Sequence, residues 1–263
     1  CYHVFHDFKK FVLRNNFSHI QIEDIKNIHQ SLENDHYKFN DSTILITGCA
    51  GFLGFYFLNY FCNFKKELNI KKVIGLDNFM LIKPKWLDFL INENGDFLEI
   101  VNFDIINDEL ENVPGILSSN YVMHMASIAS PTFYRKYPIE TLDANVWGLR
   151  RLLDFFINSR LKGFLMFSSS EIYGTPFDEY IPTPESYFGN VSCIGPRACY
   201  DESKRFCETI CYLYNQKFSI PINIVRPFNN YGPGMRLTDK RVPADFANAI
   251  VKNQNIKIFS DGT

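Results

Sequence analysis

A doubly wound α/β fold, a parallel sheet with helices over both faces, is what this 263-residue sequence predicts. Two observations carry that expectation. From residue 41 onward, short continuous apolar runs alternate with longer stretches of helical spacing, the pattern of strands buried on both faces. Three glycines, Gly48, Gly51 and Gly54, stand where the first such run gives way to the first helical one.

Taken in order, Thr43–Thr47 is the first strand, and Gly48-Cys49-Ala50-Gly51-Phe52-Leu53-Gly54 leads into a helix ending near Phe64. Lys72–Asp77 is the second strand, Phe97–Val101 the third and Tyr121–Met125 the fourth, followed by a long helix over about 137–159. Gly163–Phe167 is the fifth strand, a helix covers about 200–217, and Ile222–Val225 is the sixth. Ahead of all this, Ile20, Ile25, Ile28 and Leu32 recur at helical spacing and mark residues 1–40 as an N-terminal helical extension. At the far end Ile256–Phe259 reads as a strand, and the turn Ser260–Thr263 after it reads as a chain cut short. No internal repeat or low-complexity tract is visible.

The composition excludes several classes. A net charge of −2 without a polybasic run argues against nucleic acid or an anionic membrane as partner. The seven cysteines form no Cys-x-x-Cys, and Cys207 and Cys211 have no histidine pair at metal-ligand spacing, so no metal site is expected. They read as reduced core thiols of a reducing compartment. No apolar run approaches the ~20 residues of a membrane span. Residues 1–20 lack the basic head and apolar core of a signal peptide, and the expected location is cytoplasmic. His3, His6, His19 and His29 read as a scattered, solvated set.

The glycine loop between strand and helix is suited to a pyrophosphate, which the free amides of the helix N-terminus can bind. Asp77, at the end of the second strand and 23 residues after Gly54, suits the ribose hydroxyls of NAD and repels the extra phosphate of NADP. Candidate cofactor-binding residues are Gly48, Gly51, Phe52, Leu53, Gly54, Asp77, Asn78, Asp104, Ile105, Ala126, Asn145, Tyr200 and Lys204. Asp104 either contacts the adenine or caps a helix.

The glycine spacing of one, four and seven resembles the extended short-chain dehydrogenase/reductase family, whose members carry Tyr-x-x-x-Lys on one helix face. Among fourteen tyrosines only Tyr200 has a lysine four residues on, Lys204. The resemblance implies that the lysine lowers the phenol pKa and that Tyr200 takes a proton from a sugar hydroxyl, with Ser169 bonding the reacting oxygen. Asn145 resembles the family's structural and cofactor-linked asparagine; a buried helix hydrogen bond is the plainer reading. In Phe167-Ser168-Ser169-Ser170-Glu171 a single Glu follows the hydroxyl, where 4,6-dehydratases carry Asp-Glu. That feature resembles the UDP-glucuronic acid decarboxylases. The stretch from Tyr187 through Gly195-Pro196-Arg197-Ala198-Cys199-Tyr200-Asp201-Glu202 is similar to theirs, as is Ala126-Ser127-Ile128-Ala129-Ser130-Pro131 with Tyr134 and 138–142. The similarity runs from Thr43 to Thr263. Met80-Leu81-Ile82-Lys83 departs from it, and an arginine that the family sets on the substrate carboxylate would fall past Thr263.

The resemblance implies a Rossmann-type NAD-binding domain over 41–231 and the start of a smaller substrate-binding lobe over 232–263, with 176–198 contributing. It implies decarboxylation of UDP-glucuronate to UDP-xylose or its 4-keto intermediate, with Tyr200, Lys204, Ser169 and Glu171 catalytic. Ser130, Tyr134, Ser170, Asn229 and Arg241 would bind the UDP-sugar. Glu171 either manages a proton near C5 or orients the sugar. A homodimer through the two long helices is implied, with Phe156, Tyr212 and Leu213 either at its interface or in the core. Competing readings are a nucleotide-sugar 4-epimerase, a 4,6-dehydratase, or a non-catalytic NAD-binding regulator.

Overall fold

The computed structural model describes residues 19–256 and Ile258. Helix α1 (His19–Ser31) precedes β1 (Thr43–Thr47), α2 (Phe52–Phe64), β2 (Lys72–Asp77), α3 (Lys85–Asn94) and β3 (Leu98–Asn102). Then follow β4 (Tyr121–His124), α4 (Pro131–Lys136), α5 (Pro138–Phe156), β5 (Gly163–Phe167), α6 (Ala198–Phe218), β6 (Ile222–Val225) and α7 (Val242–Val251). The six strands form one sheet in the order β3-β2-β1-β4-β5-β6, every neighbouring pair parallel. That is the doubly wound order, with its reversal between β1 and β4.

Alternation along the central strand divides the core. Leu45 points with Ile74, Leu76 and Val122 toward α5 and α6, where Leu149, Leu152, Leu153, Phe156, Cys207 and Ile210 close one layer. Ile44 and Ile46 point the other way, against Leu58 and Phe61 of α2, Leu87 of α3 and Ile25 of α1. Both faces of β1 are thus dry, which explains why all five of its residues are buried and why the sequence there is continuously apolar.

Differences from the sequence reading are local. The third strand runs from Leu98 to Asn102, one residue later than its apolar run, and β4 stops at His124. Helix α5 ends at Phe156, where the Ser159 hydroxyl donates to the Phe156 carbonyl at 2.7 Å and competes with further helix. Helix α6 begins two residues early, at Ala198. His29 is not solvated: its ring stacks on Phe64 at 3.7 Å and on His36 at 4.0 Å. Phe156 is a core residue at 1 % exposure, whereas Tyr212 and Leu213 face outward. The segment 1–18 and most of the strand-like run 256–259 lie outside the described residues.

The β1–β4 seam carries a buried polar pair, with Thr47 Oγ1 2.8 Å from His124 Nδ1. Burial holds the His124 imidazole down at about 3, with the Lys204 cation adding to the effect. The unfolded chain binds a proton below the ordinary value of 6.5 and the folded chain does not until about 3. Stability from this residue is therefore complete above that ordinary value and falls as pH drops through the window. Urea midpoints measured between pH 7 and 5 are expected to decline, and the slope should flatten in His124→Gln. An unchanged slope in that variant would refute the assignment. His29, lowered to about 4 by burial and His36, contributes in the same direction.

Candidate active site

Two glycines are dictated by backbone geometry. Gly48 has φ +70°, and a Cβ there would lie 2.7 Å from the Ala126 amide nitrogen. A Cβ on Gly54 would lie 2.0 Å from the Cys49 carbonyl oxygen, so α2 can cross its own loop only at glycine. Gly51 is the N-cap of α2, and the amides that follow it are free of helical partners, the arrangement that binds anions.

Asp77 ends β2 beside this loop. Its Oδ2 accepts from the Ala50 amide and its Oδ1 from the Phe79 amide, both at 2.9 Å. Burial pushes its carboxyl up, against the pull of these two amides and of Arg236. Arg236 also donates to the carbonyls of Leu81 and Ile82, the latter at 2.9 Å, and so ties the divergent Met80–Lys83 loop to the segment before α7. Asp104 is engaged in its own turn, accepting from the Ile106 amide at 2.9 Å, and no helix starts there.

A cleft of about 960 Å³ opens across the carboxyl ends of the strands, above the reversal in strand order. Its walls include the 48–54 loop, Asp77, Asn78, Asp104, Ile105 and Ala126 at one end. Ser130, Ser169, Ser170, Glu171, Tyr200, Lys204, Asn229 and Arg241 line the other. Tyr134 and Asn145 are not on its walls. Tyr134 is buried behind Tyr200, the two rings stacked at 5.1 Å and 14°. Asn145 is buried between α5 and α6 and donates to the Ser203 hydroxyl at 2.8 Å. Arg241 is held by Asp239 through two bonds of 2.7 and 3.0 Å, so a phosphate there would share it with a carboxylate.

The chemistry-bearing end is built where β5 meets α6. Ser169 caps a short 3-10 turn (Ser170–Tyr173), its Oγ accepting from the Glu171 amide at 3.2 Å. The strand end is fixed from behind: the Ser168 hydroxyl donates to Glu208, which is paired with Arg226 at 2.7 Å. Tyr200 is 6 % exposed and its phenol lies beside Ser169. Lys204, one turn on, donates from Nζ to the Phe167 carbonyl at 2.8 Å and lies 5.8 Å from the Tyr200 ring centroid.

The expected lowering of the phenol by Lys204 is not what the protein groups alone produce. Burial pushes Tyr200 up to about 12, and the neighbouring Ser169 only partly offsets it. Burial also lowers Lys204, whose ammonium is spent on a main-chain carbonyl. Desolvation acts on both partners, and no gain from their mutual arrangement outweighs it.

Sequence reasoning placed no role on Arg197, yet it forms an ion pair with Glu171 and lies 3.4 Å from Asp201. Its presence in the segment before Tyr200 was the available signal; its reach back to a residue 26 positions earlier was not.

A match to the NAD dependent epimerase/dehydratase family spans residues 44–263. The chain belongs to that family. It is 34% identical over 221 residues to UDP-glucuronic acid decarboxylase 1 of Xenopus tropicalis, covering 83% of this chain and 48% of that protein. It therefore spans about half the length of that curated relative. Among solved structures it resembles the UDP-N-acetylglucosamine 4-epimerase of Methanobrevibacter ruminantium, with a TM-score of 0.72, 25% identity and coverage of 85% and 67%. It also resembles the UDP-glucuronic acid 4-epimerase of Bacillus cereus in complex with UDP-glucuronic acid and NAD, with a TM-score of 0.67, 26% identity and coverage of 84% and 67%. The cofactor is NAD. The family's dinucleotide fits what is built here: a loop closed to side chains at Gly48 and Gly54, free amides after Gly51, and a carboxylate at the end of β2. No helix among the described residues is long and apolar enough to cross a membrane.

Proposed function

We propose that this family member decarboxylates UDP-glucuronate, giving UDP-xylose or its 4-keto intermediate. The observation that carries the reading is the meeting of Ser169, Glu171, Tyr200 and Lys204 on one end of the cleft, the glycine loop and Asp77 occupying the other. Identity of 33–34% with decarboxylases of a frog and a plant supports the choice of reaction. The glycine loop, Asp77, Asn78 and Ala126 would hold NAD, which when bound supplies hydride acceptance at C4 and its return.

In this reading Tyr200 takes the proton of the C4 hydroxyl and Ser169 steadies its oxygen. The ketone so formed is β to the C5 carboxylate, so carbon dioxide can leave with its electron pair delocalised onto that oxygen, where Ser169 and Tyr200 receive the charge. Lys204 holds the end of β5 through Phe167 and keeps a positive charge under the Tyr200 ring. Ser130, Ser170, Asn229 and Arg241 would take the UDP-sugar, residues 41–231 forming the cofactor domain and 232–263 opening the substrate lobe. A second copy would pack on the outer faces of α5 and α6, where Trp147, Phe206, Tyr212 and Leu213 are each at least half exposed.

The test supplies the full-length protein with NAD⁺ and UDP-glucuronate labelled in the carboxyl carbon. Release of labelled carbon dioxide with only transient NADH is the expected result. NADH formation with the label retained would instead favour a 4-epimerase, the activity named for the Bacillus cereus structure.

A further inference from the structure

Arg197 stands immediately before α6 and touches three elements around the reacting tyrosine. Its Nη2 bonds the Glu171 carboxylate, from the turn after β5. Its Nε lies 3.4 Å from Asp201 Oδ2, one turn along α6. Its charge also acts on the nearby Tyr134 phenol, whose ring is the one stacked on Tyr200. Its carbonyl accepts the Tyr200 amide at 2.9 Å, which fixes the start of the helix on which Tyr200 stands. Glu171 lines the cleft, whereas Arg197 does not. A carboxylate bonded to a guanidinium is favoured in its ionised form, and an ionised carboxylate accepts hydrogen bonds but has no proton to give.

We propose that Arg197 is a positioning residue that fixes Glu171 as an ionised acceptor beside the sugar ring and ties it to the Tyr134–Tyr200 stack. Glu171 then orients a sugar hydroxyl or a water near C5; the proton that replaces carbon dioxide comes from that water and not from the Glu171 carboxyl, and the hydroxide left behind is reprotonated from solvent. The inference rests on the proposed reading in which Glu171 meets the sugar.

The test is a double-mutant cycle in the full-length protein with Glu171→Gln, Arg197→Met and both together, and Arg197→Lys as the conservative variant. Arg197→Met is expected to lower kcat about tenfold or more, with KM for NAD⁺ changed less than about twofold. The double variant should fall no further than Glu171→Gln alone, because Arg197 acts through Glu171. Arg197→Lys should recover part of the loss and, by retaining the cation, shows that folding is not the cause. The acid limb of the kcat profile should move to higher pH in Arg197→Met, since ionised Glu171 is the active form. Additive losses, a wild-type kcat in Arg197→Met, or activity that falls as Glu171 ionises would each overturn the proposal. If the wild type reduces NAD⁺ with another UDP-sugar and releases no carbon dioxide from UDP-glucuronate, the decarboxylase reading fails. The same cycle read by NADH formation on that sugar still decides the role of Arg197.

Discussion

Tyr200→Phe is expected to lower turnover by about a hundredfold to ten-thousandfold, the range for removal of a positioned general acid–base. The substitution deletes one hydroxyl and leaves the ring, so the stack on Tyr134 at 5.1 Å and the packing against Ile128 survive. What is lost is the phenol oxygen beside Ser169 and, with it, the site that accepts the C4 proton. Single-turnover NADH formation, set beside thermal unfolding and NAD titration, separates these effects. Turnover within tenfold of wild type would remove Tyr200 from the chemistry. The phenol, pushed up to about 12 by burial when only protein groups surround it, gives the reaction a base available chiefly when a further cation lies close.

Gly54→Ala is expected to abolish NAD binding and to cost about 3 kcal/mol or more of stability, because the added methyl cannot be absorbed by a side-chain shift. Its nearest neighbours are the main-chain oxygen, carbon and Cα of Cys49, at 2.0, 2.6 and 3.0 Å. Relief requires α2 to move away from β1, which would open the layer formed by Ile44, Ile46, Leu58 and Phe61. Urea unfolding and calorimetric titration with NAD measure the two consequences. Gly51→Ala is the informative contrast: its φ of −73° suits any residue and its Cβ would meet only the Gly48 oxygen at 3.2 Å. That variant should fold nearly as well as wild type and lose cofactor affinity alone. Equal stability for Gly54→Ala and Gly51→Ala would refute the steric account.

Much of the frame was legible because it is written in short-range pattern. The apolar runs at 43–47, 72–77, 121–125, 163–167 and 222–225 each gave a strand, the run at 43–47 being apolar throughout because β1 is covered on both sides. The helix carrying Tyr200 and Lys204 was legible from a spacing of four, which is a property of one turn. What resisted was set by groups far apart in sequence. Nothing near His29 announces that Phe64 will lie under its ring. Neither does anything near Arg236 announce that it will hold the carbonyls of Leu81 and Ile82, more than 150 positions away. The charge state around Tyr200 lies beyond spacing for a related reason. Spacing places a lysine near a phenol, but burial decides how either titrates, and burial is a product of the assembled layers. Tyr134 was misplaced because an aromatic near a substrate loop reads the same whether its ring faces the cleft or backs the residue that does.

The seam between β1 and β4 has a mechanical consequence. Strands β1 to β3 and β4 to β6 form two halves whose sheet pairing meets along Ile44–Thr47 and Tyr121–His124. The cleft straddles that junction, with Gly48 and Asp77 on one side and Ala126, Ser169 and Tyr200 on the other. A dinucleotide seated there is therefore a rivet as well as a reagent. Parting the halves exposes the His124–Thr47 pair and expels the cofactor in the same event, so the lifetime of the bound dinucleotide and the protection of the seam's amides against hydrogen exchange should rise and fall together.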